Sequence, residues 1–346
     1  MRMRKHFATG AAMAAAATMV LTACGGGSST STSTSSSSSS DSGAPKGTIT
    51  VGSAYETTDY SPITTSALGM GANWQVLEGL YRFDMSDYSV SPALAAGDPV
   101  KVSDTEYEIA LRDGAKFSDG TDVKAADVVS SYERTTGDKS IFRQFFTFVD
   151  SVSAKDDKTV TVKLKYPFSN LKERFVNVHV VPSGMSEDAL KAKPVGTGPY
   201  KYEAISATEI TAVPNEHYNG KTPAKAATLK WSALKDDAAR LSAALGGSID
   251  VMEAVPAAAQ DQLKAAGWNV EAKPGYGNPF MMFNTQKAPF DKPEVRRAFI
   301  KAIDKQKLIS SALNGQAVEA KSFLPEANPA YKKPATDLSY DKDAAK

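Results

Sequence analysis

The chain has 346 residues, with 40 lysines and arginines against 39 aspartates and glutamates, three histidines and a single cysteine. One cysteine excludes an internal disulfide framework and the multi-cysteine sites of structural zinc, and the near-balanced charge supplies no basic surface of the kind nucleic acid demands. Hydrophobic residues make up 42% of the chain, an ordinary share for a folded protein, and a body of about 300 residues is too large for one compact core, so two or more lobes are expected.

The first segment reads as an address rather than a fold. Met1 to His6 carry Arg2, Arg4 and Lys5, Phe7 to Leu21 form an alanine-rich apolar stretch, and Thr22 and Ala23 are small. That order is a secretory signal, and the apolar stretch falls short of the ~20 residues a membrane-spanning helix needs. Leu21-Thr22-Ala23-Cys24 resembles the lipobox of bacterial lipoproteins, which implies cleavage before Cys24 and lipidation of its sulfur. From Gly25 to Ser42 every residue but Asp41 is Gly, Ser or Thr, so no core exists to bury a free thiol. Such a tract behaves as a flexible coil with a root-mean-square span of roughly 25 Å. A signal over 1–23, an anchor at Cys24 and a tether to residue 45 are therefore expected, and two or more acyl chains on Cys24 would hold the protein firmly to a membrane.

Beyond the tether, Gly47 to Ser53 alternates Ile49 and Val51 with polar residues, as a half-buried strand does. Trp74, Leu77, Leu80 and Tyr81 follow at helical spacing. Glu106 to Arg112 and Thr159 to Tyr166 each put alternate apolar residues on one face, as antiparallel strands with one wet side do, and Asp127 to Arg134 between them reads as a helix. His179 falls in the apolar run Val176 to Val181, a packing position. Thr228 to Ser232, a helix from Ala238 to Leu245 capped by Asp236 and stopped by Gly246-Gly247, and Ile249 to Met252 make a βαβ unit whose strands lie parallel. A helix from Ala257 to Ala266 ends at Gly267 and leads to Trp268 to Ala272. Phe280 to Thr285 reads as a strand, and Pro293 opens a helix whose apolar stripe is Val295, Phe299, Ile300 and Ile303. Asp341 caps a last turn at Ala344-Ala345, so the chain stops as a helix begins and reads as incomplete. Antiparallel pieces beside a βαβ piece give a mixed α/β protein with an inserted subdomain.

Catalytic signatures are scarce. There is no H-E-x-x-H, G-x-S-x-G, phosphate-binding glycine loop or dinucleotide fingerprint, and no metal cluster or cofactor is implied. Two S-x-x-K tetrapeptides, Ser169 to Lys172 and Ser232 to Lys235, lack the accompanying S-D-N and K-T-G elements and are chance matches. The expected activity is binding rather than turnover.

Several stretches then coincide in order. Phe117-Ser118-Asp119-Gly120-Thr121 with Ala126-Asp127-Val128-Val129, Val195-Gly196-Thr197-Gly198-Pro199-Tyr200, Ala239-Arg240-Leu241 to Ile249-Asp250-Val251, and Asn284-Thr285 through Val295-Arg296-Arg297-Ala298 together resemble the solute-binding proteins of peptide and nickel ABC transporters, the family-5 type. Each has its own physics: Asp119-Gly120 is a turn with a glycine free to take positive φ, and Gly196, Gly198 and Pro199 form a rigid crossover where backbone passes closely. The resemblance implies a two-lobed periplasmic-binding-protein-like fold (type II, mixed sheets). It places the first lobe over 46–81 and 186–275, the inserted subdomain over 82–185, and an incomplete second lobe from Tyr276 to 346. It also implies that the ligand is lined by Ala54, Tyr55 and Glu56 after the first strand, by Glu253 after the βαβ unit, and by Phe280 and Met282, with Phe142 to Phe146 approaching from the subdomain. Phe280 and Met282 sit equally well in a core, and Asp59-Tyr60-Ser61-Pro62 stands where the family has Leu-Asp-Pro. The implied role is a monomeric, lipid-anchored extracytoplasmic receptor that binds a small solute, a peptide before other classes, and passes it to an ABC permease with its ATPase. Two rival readings use the same fold: a surface hydrolase and a sensor or adhesin without a permease.

Overall fold

The computed structural model describes residues 44–346 apart from 85, 86, 88, 273, 274, 276, 327 and 329. The expected signal, Cys24 and the tether up to residue 43 lie outside the described residues, as does Tyr276.

The largest sheet gathers strands from both ends of the first 250 residues. β1 (Thr48–Ser53) lies between β11 (Val251–Met252) and β10 (Thr228–Ala233), and β9 (Glu209–Pro214) and β8 (Tyr200–Ile205) complete the order β11-β1-β10-β9-β8. β1 runs parallel to β10 from the Thr48–Thr228 pair to Ser53–Ala233, and parallel to β11 through Val51–Val251 and Gly52–Met252. β10, β9 and β8 pair antiparallel, so the sheet is mixed. The two strands of the βαβ unit are parallel as the sequence predicts, but β1 inserts between them. Their connecting helix, α5 (Asp237–Leu245), starts where the Asp236 carboxylate accepts the Ala239 N–H at 2.8 Å and ends at Gly246, with Gly247 at φ 71°.

α1 (Ala67–Val76) covers one face of this sheet. It stops earlier than the spacing Trp74, Leu77, Leu80, Tyr81 implies. Leu77 is already extended, and the next carbonyls serve other segments: Glu78 accepts from Val180, Gly79 from Leu94, and Leu80 from Ala93 and Ala95. Leu77, Leu80 and Tyr81 are all at most 3% exposed, so their spacing reflects burial in a crossing strand rather than helix. Leu68, Ala72 and Val76 of α1 pack with Tyr200, Ile210 and Trp231 to form this lobe's core.

The residues between carry a second core. β2 (Tyr81–Phe83) and β3 (Val90–Pro92) form a two-stranded ladder, and β4 (Val100–Ser103), β5 (Glu106–Ala110), β6 (Val149–Ala154) and β7 (Thr159–Leu164) form an antiparallel sheet ordered β4-β5-β7-β6. Ile109 of β5 and Val160 and Val162 of β7 point inward, against Val128 of α2 (Ala125–Thr135) and Phe175 of α3 (Leu171–Phe175). β4 is an edge strand, exposed along its length, with a register slip between Lys101 and Ser103. α2 begins with a capping box in which Asp127 accepts the Lys124 N–H at 2.9 Å, while its other carboxyl oxygen takes the Ser183 N–H at 2.9 Å.

The chain returns to the first core through α4 (Glu187–Ala192) and the glycine crossover. Gly196 has no room for a side chain: a Cβ there would lie 2.1 Å from the Val76 carbonyl oxygen, and the Gly198 N–H bonds that same oxygen at 2.9 Å. After β11, a 3-10 turn (Ala257–Ala259) and α6 (Gln260–Ala265) pack Leu263 against Ile249 and Met252. Trp268 to Ala272 is not a strand, and Phe280 to Thr285 forms none either, pairing with no neighbour among the described residues. A strand is stable only when a ladder satisfies its backbone, and the described chain brings none beside it. α7 (Pro293–Lys301) starts at Pro293 as predicted, and α8 (Lys305–Ala312) follows; neither has a fully buried residue. Phe299 of the predicted stripe instead meets the rings of Phe283 and Phe290 at 5.5 and 6.0 Å.

Candidate functional site

β10, β1 and β11 end side by side, and the loops that leave them form a common rim. In open sheets with parallel strands, ligands bind outside the carboxyl ends, where loop side chains and free backbone groups converge. Here the three ends are stitched together. The Leu234 N–H donates to the Ser53 carbonyl at 2.8 Å and the Glu253 N–H to the Gly52 carbonyl at 3.1 Å. The hydroxyl of fully buried Ser53 donates to Glu253 Oε2 at 2.7 Å and accepts the Tyr55 N–H at 3.2 Å, so one small side chain sets the direction of both the first loop and the Glu253 carboxylate.

Arg240, on the first turn and a half of α5, is 1% exposed and lies under this rim. Its Nη1 donates to the carbonyls of Leu234 at 2.7 Å and Lys235 at 2.9 Å. Nε donates to the Glu253 carbonyl at 3.2 Å, and Nη2 to the Ala254 carbonyl at 3.2 Å and to Asp237 Oδ1 at 2.5 Å. A guanidinium has five N–H groups in a rigid fork, and five acceptors meet it. Ala254 stands at φ 52°, a left-handed conformation that costs a residue with a Cβ ~1 kcal/mol, and its carbonyl is one of those five.

The charges sort into pairs. Arg240 faces Asp237, and Lys235 Nζ meets Glu56 Oε1 at 2.9 Å on an exposed part of the rim. Glu253 makes no ion pair among the described residues; its carboxylate has the Ser53 hydroxyl. The rim therefore carries one half-buried carboxylate that makes no ion pair among the described residues and is held by the Ser53 hydroxyl.

Four of the six residues expected to line a ligand come together here: Ala54, Tyr55, Glu56 and Glu253. Tyr55 is 46% exposed. Phe280 and Met282 sit elsewhere in the bonding scheme, 69% and 84% exposed on the unpaired segment, with Phe280 against the ring of Phe323 at 6.3 Å. In the Ile141–Phe146 turn, Phe146 is buried against Tyr132 and Phe175, while Phe142 and Phe145 remain partly open. The lysines of both S-x-x-K tetrapeptides are engaged away from their serines, Lys172 with Asp98 and Lys235 with Glu56. Ser53, Lys235 and Arg240 are the rim residues that sequence reasoning left without a role.

Two clefts open away from the rim. One of about 310 Å³ is lined by Glu78, Arg82, Arg112 and Lys221, and one of about 610 Å³ by Trp74, His179, Trp231 and Arg82 among others. Burial raises the Glu78 carboxyl above its ordinary range, opposed by Arg112, whose guanidinium lies 3.2 Å away. Burial lowers His179, whose Nδ1 bonds the Pro62 carbonyl at 3.2 Å. Neither cleft is lined by a rim residue. Among the described residues no group of three or more His, Cys, Asp or Glu is placed to hold a metal ion.

Comparison with known proteins agrees with this architecture. Glutathione-binding protein GsiB of Salmonella typhimurium is 29% identical over 292 residues, 80% of this chain and 56% of its own length. The chain thus spans about half the length of the curated relatives it matches. Among solved structures, the binding protein AgaA of A.tumefacien R10, in complex with agropinic acid, superposes with a TM-score of 0.75 at 27% identity over 86% of this chain and 63% of its own. The oligopeptide-binding protein AppA of Bacillus subtilis, in complex with a nonapeptide, gives 0.74 at 22% over 87% and 63%, a likeness of fold. These neighbours share the two-lobed mixed α/β architecture into which the sheet, the inserted subdomain and the crossover fit. The model of bacterial extracellular solute-binding proteins, family 5, matches residues 89–346, most of the chain, and to that family the chain belongs.

Proposed function

We propose that the full-length protein is an extracytoplasmic receptor that closes two lobes over a small peptide and delivers it to an ABC permease with its ATPase. The rim at the ends of β10, β1 and β11 is the first lobe's share of the ligand site, and the second lobe begins near residue 276. Ligand contacts to both lobes favour the closed state, and the permease distinguishes closed from open. The role is capture and release without bond breaking, as in the family to which the chain belongs. Glutathione-binding and oligopeptide-binding relatives support a peptide as the solute.

The observation that carries this reading is Glu253: a half-buried carboxylate, fixed by Ser53 and unpaired with any described cation, is suited to the ammonium of a free amino terminus. A hydrogen bond to a charged group contributes about 1.5–3 kcal/mol. Glu253→Gln in the full-length protein should therefore weaken binding of short peptides by about tenfold or more, and Glu56→Gln by less, because Lys235 already occupies Glu56. Isothermal titration with dipeptides, tripeptides and glutathione measures this. Unchanged affinity in the doubly substituted protein removes both glutamates from the site.

Ala54, Tyr55, Phe280 and Met282 complete the proposed lining. Acylation of Cys24 would hold the monomeric receptor to the membrane through the tether. Metabolic labelling with a fatty-acid analogue should mark the wild type and not Cys24→Ala.

A further inference from the structure

We propose that Arg240 is the positioning residue of the ligand rim: its single guanidinium locks the loops after β10 and β11 to each other and so fixes the Glu253 carboxylate where it receives a ligand ammonium. The inference rests on the reading of Glu253 as a ligand group.

Four of the five groups that Arg240 bonds are main-chain carbonyls, two from each loop: Leu234 and Lys235 on one side, Glu253 and Ala254 on the other. These loops are not neighbours in the sheet, since β1 runs between their strands. The β1 main chain bonds each of them once, through the Leu234 and Glu253 amides, the Ser53 hydroxyl adds a bond to the Glu253 carboxylate, and Arg240 supplies the direct link between the two loops underneath. Two of the carbonyls it holds belong to residues whose side chains form the rim. Lys235 reaches Glu56, and Glu253 reaches Ser53. The left-handed Ala254 turns its carbonyl into the fork, so the conformation of the residue after Glu253 is held by the same group. Asp237, the first residue of α5, pairs its carboxylate with Arg240 Nη2 and balances the buried charge. A lysine at this position presents its donors from one point and cannot span four carbonyls arranged along a planar fork.

The test uses the full-length protein and matched pairs of short peptides, each with a free and an acetylated amino terminus. Arg240→Lys keeps the charge and is the primary variant; Asp237→Asn perturbs the ion pair but leaves the four carbonyl bonds. In the wild type the free peptide should bind about tenfold more tightly than its acetylated partner. In Arg240→Lys that ratio should collapse toward unity, while Asp237→Asn keeps it. A purely structural role lowers both affinities together and preserves the ratio, and a preserved ratio in a folded Arg240→Lys protein overturns the proposal. If the wild type shows no preference for the free amine, the reading of Glu253 falls, and the lock is judged by hydrogen exchange alone. Faster exchange in Arg240→Lys at both the Leu234 and Glu253 amides supports it, and a change confined to one loop overturns it.

Discussion

Replacing Gly196 by alanine should be among the most damaging single-methyl changes in the protein. The new Cβ would sit 2.1 Å from the Val76 carbonyl oxygen and 2.5 Å from Leu77 Cδ2, well inside the 3.0 Å that real Cβ contacts respect. The Leu77 methyl can rotate away, but the Val76 oxygen ends α1 and already accepts the Gly198 N–H, so the crossover strand has to move by about 0.9 Å. That movement stretches two backbone bonds, Gly198 to Val76 and Ser118 to Gly196. Overpacking against a rigid neighbour costs about 1–3 kcal/mol, and a weakened buried hydrogen bond adds about 1 kcal/mol, so a loss of about 3 kcal/mol is expected. Against a total of ~5–15 kcal/mol this is a large fraction. Urea unfolding of the full-length protein followed by far-ultraviolet circular dichroism measures it, with Gly184→Ala as the control, because nothing lies within 4 Å of a Cβ at that site. A Gly196→Ala loss no greater than the control's would refute the close-approach argument and the crossover geometry behind it.

Asp127→Ala should cost about 2–3 kcal/mol, since it strips an acceptor from the Lys124 and Ser183 amides at once, and Asp127→Asn, which keeps one acceptor oxygen, should cost less. The same unfolding assay decides, and equal small losses for both would deny the carboxylate its double role. Acid sensitivity should trace to His179. Burial holds the native imidazole below its ordinary 6.5, so from pH 6.5 downward the unfolded chain takes up a proton that the native state refuses, and stability falls until the depressed native value is reached. His179→Asn keeps a donor for the Pro62 carbonyl and cannot titrate. Its stability should decline less than the wild type's over that range, and parallel curves would show that another group is responsible.

The elements legible in the sequence were those whose pattern is local. β1, β5, β7, β10, α2 and α5 follow from alternation or amphipathic spacing, and Asp236, Gly120 and Gly247 announce caps and turns by chemistry that needs no distant partner. α1 was overextended because Leu80 and Tyr81 are buried by strands that pair only after the chain has folded back, which spacing cannot distinguish from a helix. Phe280 to Thr285 has strand residues but no ladder among the described residues, and residue identity alone cannot supply one. At the rim, Tyr55, Glu56 and Glu253 were pointed to by the family resemblance, and the first two also leave a strand for a loop. Ser53 was not, since its value lies in a hydroxyl bond to a residue 200 positions away. Arg240 left a fainter trace: it shares the inward face of α5 with Ala244, and a cation on a buried stripe has to find acceptors.

Edge strand β4 bears on how the protein behaves in a crowd of its own kind. Val100 and Val102 are 64% and 55% exposed on a strand whose outer side pairs with no strand among the described residues, which is an open socket for a stranger's backbone. The slip between Lys101 and Ser103 breaks that socket in the middle, and Lys101, held by Asp104 at 2.6 Å, plants a charge in the gap. A visiting chain finds only short grips on either side of the break, and closely packed copies would meet there without zipping together.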